Sequence, residues 1–453
     1  MIQSIPTLYP LTKRKIVMVH RLTLVMELLK KDNMARHFLV MAGFGLAIGI
    51  FNSLYQLAMG RMLQLGDYGI LGSLNSLFMV VTVLALTIRT AMTKFISRYH
   101  AENNQEAIGY LWRVYLKRLL ILGAIAFAFV AALSPQISGF LRIPNPWYPV
   151  VLFSSLTLAF ALPLNEGTLN GLHRFFSLGW VTTLWALLRL VLAILLIKVG
   201  LGLYGSLAPY MIAYIIVFPI AYYMLKDLPQ KGKDKVEFVG LRYYVGLSFV
   251  AILAYTILTS FDMVLVKHFL NEEQAGNYAA IAALGRLSLF APMGVAFALF
   301  PKTSGLHELG KSHRPVLLIA VIFTILLTGL VAVLYWQFPN FFVHLLGQDE
   351  LGQDKYILAV PHLFEYSIAM MFFAVSYIFM NYFLSLNRIK IAYILAGAAF
   401  LQVLLILYFH ENITQVVSAV IISSAVCLAA TLIFYQWWQR PRRLIVSDSQ
   451  RSD

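Results

Sequence analysis

Apolar stretches separated by short polar turns follow one another along the chain from about residue 37 onward. A membrane-spanning helix needs about 20 mostly apolar residues, and twelve stretches reach that length. The pattern predicts an all-α polytopic membrane protein with spans 1 to 12 near residues 37–60, 69–92, 112–133, 148–168, 176–198, 203–225, 242–268, 275–300, 315–337, 356–384, 389–409 and 413–438.

The longest linker expected on the cytoplasmic side, Lys226 to Arg242, divides the spans six against six. Six spans per half give both halves the same orientation, as in parallel repeats. A weak internal match supports this, because it aligns Gly69 with Gly276 and Asn52 with Thr259. We therefore predict two six-helix lobes, with segments 1–35 (basic N-terminal segment), 36–226 (N-lobe), 227–241 (linker), 242–438 (C-lobe) and 439–453 (basic tail).

The basic residues give the orientation, because short cytoplasmic loops carry an excess of Lys and Arg. With both termini cytoplasmic, most of the 35 basic residues lie in inner segments. The exceptions are five in the outer loops and three inside spans: Arg61, Arg142, Lys198, Lys267 and Lys355, and Arg89, Arg189 and Arg286. The N-terminal segment suits an amphipathic helix lying on anionic membrane lipids; a disordered basic tail is the alternative.

Composition agrees with a membrane protein: 60% of residues are hydrophobic and only 12% are charged, against about 25% charged in soluble domains. The net charge of +15 lies mainly in loops between spans, so nucleic acid is not an expected partner. The single cysteine, Cys427, excludes an intrachain disulfide. Gly200 to Gly205 matches GxGxxG but joins two spans without a preceding strand, so it predicts a turn. We expect no cofactor and no enzymatic activity.

Polar residues recur on one face of several spans. Span 1 aligns Asn52 and Gln56 with Gly45 and Gly49, and span 7 aligns Thr259 with Asp262. Span 2 aligns Asn75, Thr82 and Arg89, and span 8 carries Arg286 on a face of alanines. Such faces can line an aqueous cavity. The alternative is that small and polar residues mark where membrane helices pack together.

Two turns carry a family resemblance. The segment Arg61 to Leu71, and the segment Asp262 to Leu270 with Ala275 to Tyr278, resemble the polysaccharide-export family. These are the lipid-linked oligosaccharide flippases of the multidrug/oligosaccharidyl-lipid/polysaccharide exporter (MOP) superfamily. The resemblance implies an alternating-access exporter with a cavity lined by spans 1, 2, 7 and 8. Its substrate would be a polyprenyl-diphosphate-linked glycan, moved to the outer leaflet of a bacterial or archaeal cytoplasmic membrane.

With such a substrate, buried arginines are candidates to hold the diphosphate, because a guanidinium binds phosphate oxygens bidentately. The hypothesis names Arg286 first, and adds Arg89, Arg189, Asn52, Gln56 and Thr259 as substrate-binding residues. Arg286 could instead pair with Asp262 or Glu365. Arg89 could extend to the inner head groups, and the face on which Arg189 lies is open. Glu166 could be a local cap or part of an inner gate.

Asp262 and Glu365 are the carboxylates that the sequence places well inside spans. Desolvation raises the proton affinity of a buried carboxylate, so the hypothesis assigns them to coupling with H⁺ or Na⁺. Glycan polymerases or glycosyltransferases are possible partners of a flippase. Three alternatives stay open: a multidrug or cation antiporter of the same superfamily, a membrane glycosyltransferase or polymerase, and a non-transporting component of a secretion complex.

Overall fold

A computed structural model describes residues 33–229, 239–289, 311–348, 352–386, 388 and 390–439, with isolated positions between 292 and 306. Nearly all of the predicted N-terminal segment, the middle of the linker and the tail after residue 439 lie outside these ranges. Within them the protein is helical apart from short turns, one isolated bridge and two π turns. The predicted all-α class is confirmed.

The N-lobe spans run as follows. Span 1 is Asn33–Met62, span 2 is Leu65–Val81 with Val83–Ala101, span 3 is Gln105–Ala132, span 4 is Trp147–Phe153 with Leu156–Gly171, span 5 is Phe175–Leu196, and span 6 is Gly202–Tyr223. Span 2 bends by 43° at Thr82, whose hydroxyl donates to the Phe78 carbonyl one turn earlier at 2.9 Å. That bend separates Leu65–Val81, which the predicted orientation makes the outer half, from the inner half Val83–Ala101, and both halves pack on the C-lobe.

The C-lobe repeats this order. Span 7 is Val239–Thr256, a π turn over Ile257–Phe261, then Asp262–Phe269; span 8 begins with Glu272–Leu287; span 9 is Arg314–Gln337; span 10 is Ile357–His362 with Leu363–Ser385; span 11 is Ile391–Tyr408; span 12 is Ile413–Gln439. Within the described residues eight helices are long and apolar enough to cross a membrane, or nine when the bent pair of span 2 counts as one.

Together with the bent pair of span 2, those helices cover ten of the twelve predicted spans. One of the eight covers Phe175–Tyr223 and holds spans 5 and 6, because the backbone turns back where Gly200 and Gly202 adopt φ of 95° and 49°. The turn predicted there is confirmed. Span 1 and the described part of span 8 are not among these helices, so the structure is consistent with the twelve predicted spans.

Two short helices, on the side that the loop charges predict to be the outer one, were not predicted: Ser134–Phe140 between spans 3 and 4, and Pro339–Leu346 between spans 9 and 10. Each has proline in its first turn, where the missing N–H costs nothing. Their equivalent positions in the two halves fit the predicted repeat, and both reach across to the opposite lobe.

Candidate functional site

Asp262 lies at the centre of a buried cluster in the C-lobe. Its carboxylate is fully buried. Oδ1 accepts a hydrogen bond from Nη2 of Arg286 at 2.9 Å, and Oδ2 accepts from the hydroxyls of Tyr278 and Tyr366, both at 2.7 Å. Spans 7, 8 and 10 therefore meet at one carboxylate. The sequence analysis named Asp262 and Glu365 as possible partners of Arg286, and in the structure the partner is Asp262.

Arg286 also reaches the N-lobe. Its Nη1 donates to the hydroxyl of Ser76 on span 2 at 3.2 Å, and Nη2 lies 3.4 Å from the Ser260 carbonyl. Its Nε has no hydrogen-bond partner, and 19% of the side chain is exposed. Arg286 thus lies at the boundary between the lobes, held by the C-lobe and in contact with the N-lobe.

Glu365 was predicted to lie well inside span 10. It lies in the first turn of the main helix of span 10, and 48% of its side chain is exposed in the protein alone. Nδ1 of His362 lies 3.5 Å from its carboxylate. Because the candidate span Ile357–Ser385 includes the 3₁₀ turn before it, the depth of Glu365 in the membrane and its ion-coupling role stay predictions.

Arg189 is the buried cation of the N-lobe, and 7% of it is exposed. Nη2 donates to Oδ1 of Asn52 at 2.6 Å and Nη1 to the hydroxyl of Tyr210 at 3.2 Å. The guanidinium carbon lies 4.1, 4.9 and 5.0 Å from the ring centres of Tyr55, Trp185 and Tyr210. Across the described ranges no carboxylate is within ion-pair distance of Arg189, which makes it chemically unlike Arg286.

The polar groups around Arg189 come from four spans. The Tyr210 hydroxyl donates to Oδ1 of Asn75 at 2.9 Å, which joins span 6 to span 2. Nε of Arg189 and the indole Nε1 of Trp185 are buried without a partner. Asn52 and Asn75 are only half-buried. We call Arg189, Asn52, Asn75, Tyr210 and Trp185 the N-lobe arginine cluster.

The other predicted substrate-binding residues lie apart from this cluster. Gln56 is half-buried, and its Oε1 is 3.5 Å from the Tyr68 hydroxyl. Thr259 is buried in the π turn of span 7, and its hydroxyl donates to the Tyr255 carbonyl at 2.9 Å. That bond satisfies the Thr259 hydroxyl within its own helix.

Arg89 is bound inside the N-lobe. Its Nη1 lies 2.8 Å from Oε2 of Glu166 on span 4. A Cβ added at Gly167 would come within 2.6 Å of the Arg89 carbonyl, so span 4 needs a glycine there to approach span 2. The pair explains both residues as a structural link between spans 2 and 4, and it gives no support to a substrate contact by Arg89.

The outer halves of spans 2 and 8 pack directly on each other. A Cβ added at Gly69 would lie 3.1 Å from the Gly276 nitrogen, and one at Gly276 would lie 2.4 Å from the Leu65 carbonyl. One turn deeper, Gly72 faces the Cβ of Ala279 in the same way. The two glycines that the internal repeat aligned therefore meet each other at the contact between the lobes.

A second contact between the lobes lies next to the packed helices of spans 2 and 8, at the end of span 1 that is predicted to be the outer one. The ammonium of Lys355 and the hydroxyl of Tyr356 donate to the Gly60 carbonyl at the end of span 1, at 3.4 and 2.8 Å. In return, Nε of Arg61 donates to the Leu345 carbonyl, at 2.9 Å, near the end of helix Pro339–Leu346. Each lobe thus satisfies free carbonyls at a helix C-terminus of the other. We call these four residues, Gly60, Arg61, Lys355 and Tyr356, the outer clasp.

Several site residues were missed from the sequence. Tyr278, Tyr366, Tyr210 and Trp185 look like ordinary aromatic residues of a membrane helix, and nothing in their spacing assigns them to a charge. A usable signal was available for Tyr278 and Tyr366 alone. Since a buried Asp must be hydrogen-bonded, tyrosines at similar depth on neighbouring spans are natural donors.

Comparison with known proteins agrees with this architecture. Residues 58–288 match the family described as polysaccharide biosynthesis protein, and no curated protein gives a significant match. A multidrug resistance MATE family transporter of the MOP superfamily, in an inward-facing conformation, is similar in structure with a TM-score of 0.74 at 14% identity, covering 88% of this chain and 99% of its own.

Two further structures share the fold. A MOP superfamily transporter from Pyrococcus furiosus gives a TM-score of 0.65 at 16% identity and covers 89% and 95% of the two chains. The MATE multidrug transporter DinF-BH gives 0.68 at 14% identity, covering 89% and 94%. At these identities the likeness shows the fold, which this chain shares with those three transporters. The match over more than half of its length places the chain in the polysaccharide biosynthesis protein family.

Proposed function

We propose that this protein is a secondary transporter that moves a polyprenyl-diphosphate-linked oligosaccharide from the cytoplasmic to the outer leaflet, with both termini in the cytoplasm. The family supplies the link to polysaccharide biosynthesis, and the MOP fold supplies the transporter architecture. The charge bias of the loops supplies the orientation. The family, the fold and the loop charges do not give the charge of the substrate. The buried groups of the N-lobe do provide information about it.

The observation that carries the proposal is the Arg189 guanidinium, buried among aromatic rings without a carboxylate in reach in the described part of the chain. A charge in the membrane interior costs about 2.5–3.5 kcal/mol even on lenient scales. An anion that enters from the side of Asn52 and Asn75 would neutralise that charge. A diphosphate suits it, because its oxygens accept from both guanidinium and amide donors.

The charges of the buried side chains also argue against a transporter of cationic drugs. Such a substrate needs an available carboxylate in the membrane interior. The two buried carboxylates among the described residues, Asp262 and Glu166, are each paired with an arginine.

The test is leaflet translocation by the purified protein in liposomes. The probe is a polyprenyl diphosphate carrying one fluorescent sugar, and a membrane-impermeant quencher reports the fraction in the outer leaflet. With the protein we expect the inner pool to become accessible to quencher during the assay. Protein-free liposomes should keep that pool protected.

Variants link the transport to the site. Arg189→Gln should reduce the rate by about 10-fold or more, since hydrogen bonds to charged groups contribute about 1.5–3 kcal/mol. Arg98→Gln is the matched control, because Arg98 lies on the inner surface with 70% of its side chain exposed. Wild-type protein that leaves the inner pool protected would refute the proposal. Equal rates for Arg189→Gln and wild type would refute the role of Arg189.

A further inference from the structure

The Asp262 cluster contains a feature that glycan transport does not require. A carboxylate buried without water needs positive charge or several donors beside it, or it takes up a proton. Asp262 has both kinds of stabilisation from its own lobe: the guanidinium of Arg286 on Oδ1 and two tyrosine hydroxyls on Oδ2. Each carboxylate oxygen is therefore already occupied at 2.7–2.9 Å.

The tyrosines also determine how Arg286 is held. Because Tyr278 and Tyr366 both donate to Oδ2, Arg286 reaches Asp262 through Nη2 alone. A bidentate pair would use two donors of the guanidinium on one carboxylate. The one-point contact instead leaves Nη1 directed at Ser76 of the N-lobe and Nε without a partner.

We infer that Arg286 is a built-in counter-cation for Asp262, occupying the place where a transported cation would bind this carboxylate. The C-lobe then carries a latent cation site that is filled by its own side chain. Tyr278 and Tyr366 act as positioning residues. They occupy Oδ2 of Asp262, so Arg286 forms a single hydrogen bond to Oδ1 and stays within reach of Ser76 in the opposite lobe. This goes beyond the proposed function and does not depend on the identity of the glycan. The sequence analysis assigned Asp262 to coupling with H⁺ or Na⁺, and this inference replaces the Na⁺ part of that hypothesis.

The test asks whether Na⁺ binds at Asp262 only after Arg286 is removed. Thermal unfolding of the purified full-length protein is measured in rising NaCl, with choline chloride holding ionic strength constant. Anything that binds only the folded state raises the Tm by mass action. For wild type we expect the same Tm in Na⁺ and choline. For Arg286→Gln and Arg286→Ala we expect Na⁺ to raise the Tm by about 2 °C.

Matched variants separate a created site from a general loss of stability. Arg286→Lys keeps a cation beside Asp262, so its Tm should not respond to Na⁺. Combining Arg286→Gln with Asp262→Asn removes the carboxylate charge, so the Na⁺ response should disappear. A less stable protein without a cation site would show none of these differences between salts.

Two results would overturn the inference. One is a Na⁺-dependent rise in the Tm of wild type that Asp262→Asn abolishes, since Na⁺ would then bind with Arg286 in place. The other is the absence of any Na⁺ response in both Arg286→Gln and Arg286→Ala. Binding of radioactive Na⁺ to wild type and Asp262→Asn decides the first point even if the Arg286 variants fail to fold. None of these measurements uses glycan transport, so they can fail while the proposed function stands.

Discussion

Arg286 of the C-lobe and Arg189 of the N-lobe both lie inside predicted spans, but their guanidinium groups have different partners. Arg286 in the C-lobe is paired with Asp262, and the hydroxyls of Tyr278 and Tyr366 donate hydrogen bonds to the other oxygen of that carboxylate. Arg189 in the N-lobe has aromatic rings and neutral amide and hydroxyl oxygens around it, with no carboxylate in reach in the described ranges. Of these two arginines, only Arg286 is neutralised by a carboxylate.

The difference assigns different tasks to the lobes. A neutralised pair can stay buried in every state of the protein, which suits a structural and positioning role at the lobe boundary. A cation without a counter-ion is costly in the empty protein, and an anionic ligand lowers that cost. Four predictions test this contrast, in order of decreasing effect.

The largest effect should come from Asp262→Ala. It leaves the Arg286 charge and two tyrosine hydroxyls buried without their acceptor, and breaking a buried pair in this way costs about 3–5 kcal/mol. Arg189→Met should cost only about 1–2 kcal/mol, because it leaves neutral oxygens behind. Thermal or denaturant unfolding of the purified variants measures both.

A double variant is the control for this first comparison. Asp262→Ala with Arg286→Met removes both charges, and we expect it to recover most of the stability lost in the single variant. If Arg189→Met destabilises the protein as much as Asp262→Ala, the contrast between the lobes is incorrect.

The second prediction concerns anion binding. Inorganic diphosphate, used as a soluble head-group probe, should raise the Tm of wild type by about 1 °C or more when it exceeds its Kd several-fold. Arg189→Gln should abolish the shift, whereas Tyr278→Phe should keep it, because Tyr278 serves only the C-lobe pair. Potassium chloride at equal ionic strength is the salt control. A shift that survives in Arg189→Gln would locate the anion elsewhere.

The sequence was sufficient for the fold and for the charged members of both clusters. Hydropathy places the spans because the bilayer requires about 20 apolar residues per crossing, and Arg189, Arg286 and Asp262 are visible as charges inside such stretches. Pairing was not predictable, because it depends on which faces of spans 7, 8 and 10 meet. Glu166 shows this limit, since the sequence placed it near the inner end of span 4 without a partner, and the structure pairs it with Arg89 of span 2.

The third prediction concerns the outer clasp, which joins the lobes that the comparison separates. A cation at a helix C-terminus contributes about 0.3–1 kcal/mol, so Lys355→Met should favour opening of the outer side by up to about five-fold. The reporter is Ala279→Cys in a Cys427→Ser background, because Ala279 is buried against Gly72 of the other lobe. Its labelling by a membrane-impermeant maleimide, added outside, should accelerate by that factor.

Lys198→Met is the control for the clasp, because Lys198 is an exposed outer lysine at the turn between spans 5 and 6. Its labelling rate should equal that of the unmodified reporter protein. Equal rates for Lys355→Met and Lys198→Met would show that the clasp does not limit opening.

The smallest effect is expected at an Asp–Arg pair with the same chemistry but outside the membrane. Arg174 donates to both carboxylate oxygens of Asp227, and its Nη1 also donates to the Met224 carbonyl at 2.8 Å. Hydrogen bonding to Arg174 lowers the pKa of Asp227 below its usual 3.8. The stabilisation is therefore fully present at neutral pH and is lost as the pH falls below 3.8 through the lower pKa of the folded state.

Because water screens this pair, whose side chains are 34% and 54% exposed, it should contribute less than about 1 kcal/mol. Asp227→Asn should therefore lower the Tm slightly at pH 7, and the difference from wild type should shrink as the pH approaches 3. Asp262→Ala removes the same kind of bond from a fully buried carboxylate, so the ratio of the two effects measures what burial adds. A loss at Asp227 as large as that at Asp262 would mean that burial is not what makes the C-lobe pair strong, and the contrast with Arg189 would lose its physical basis.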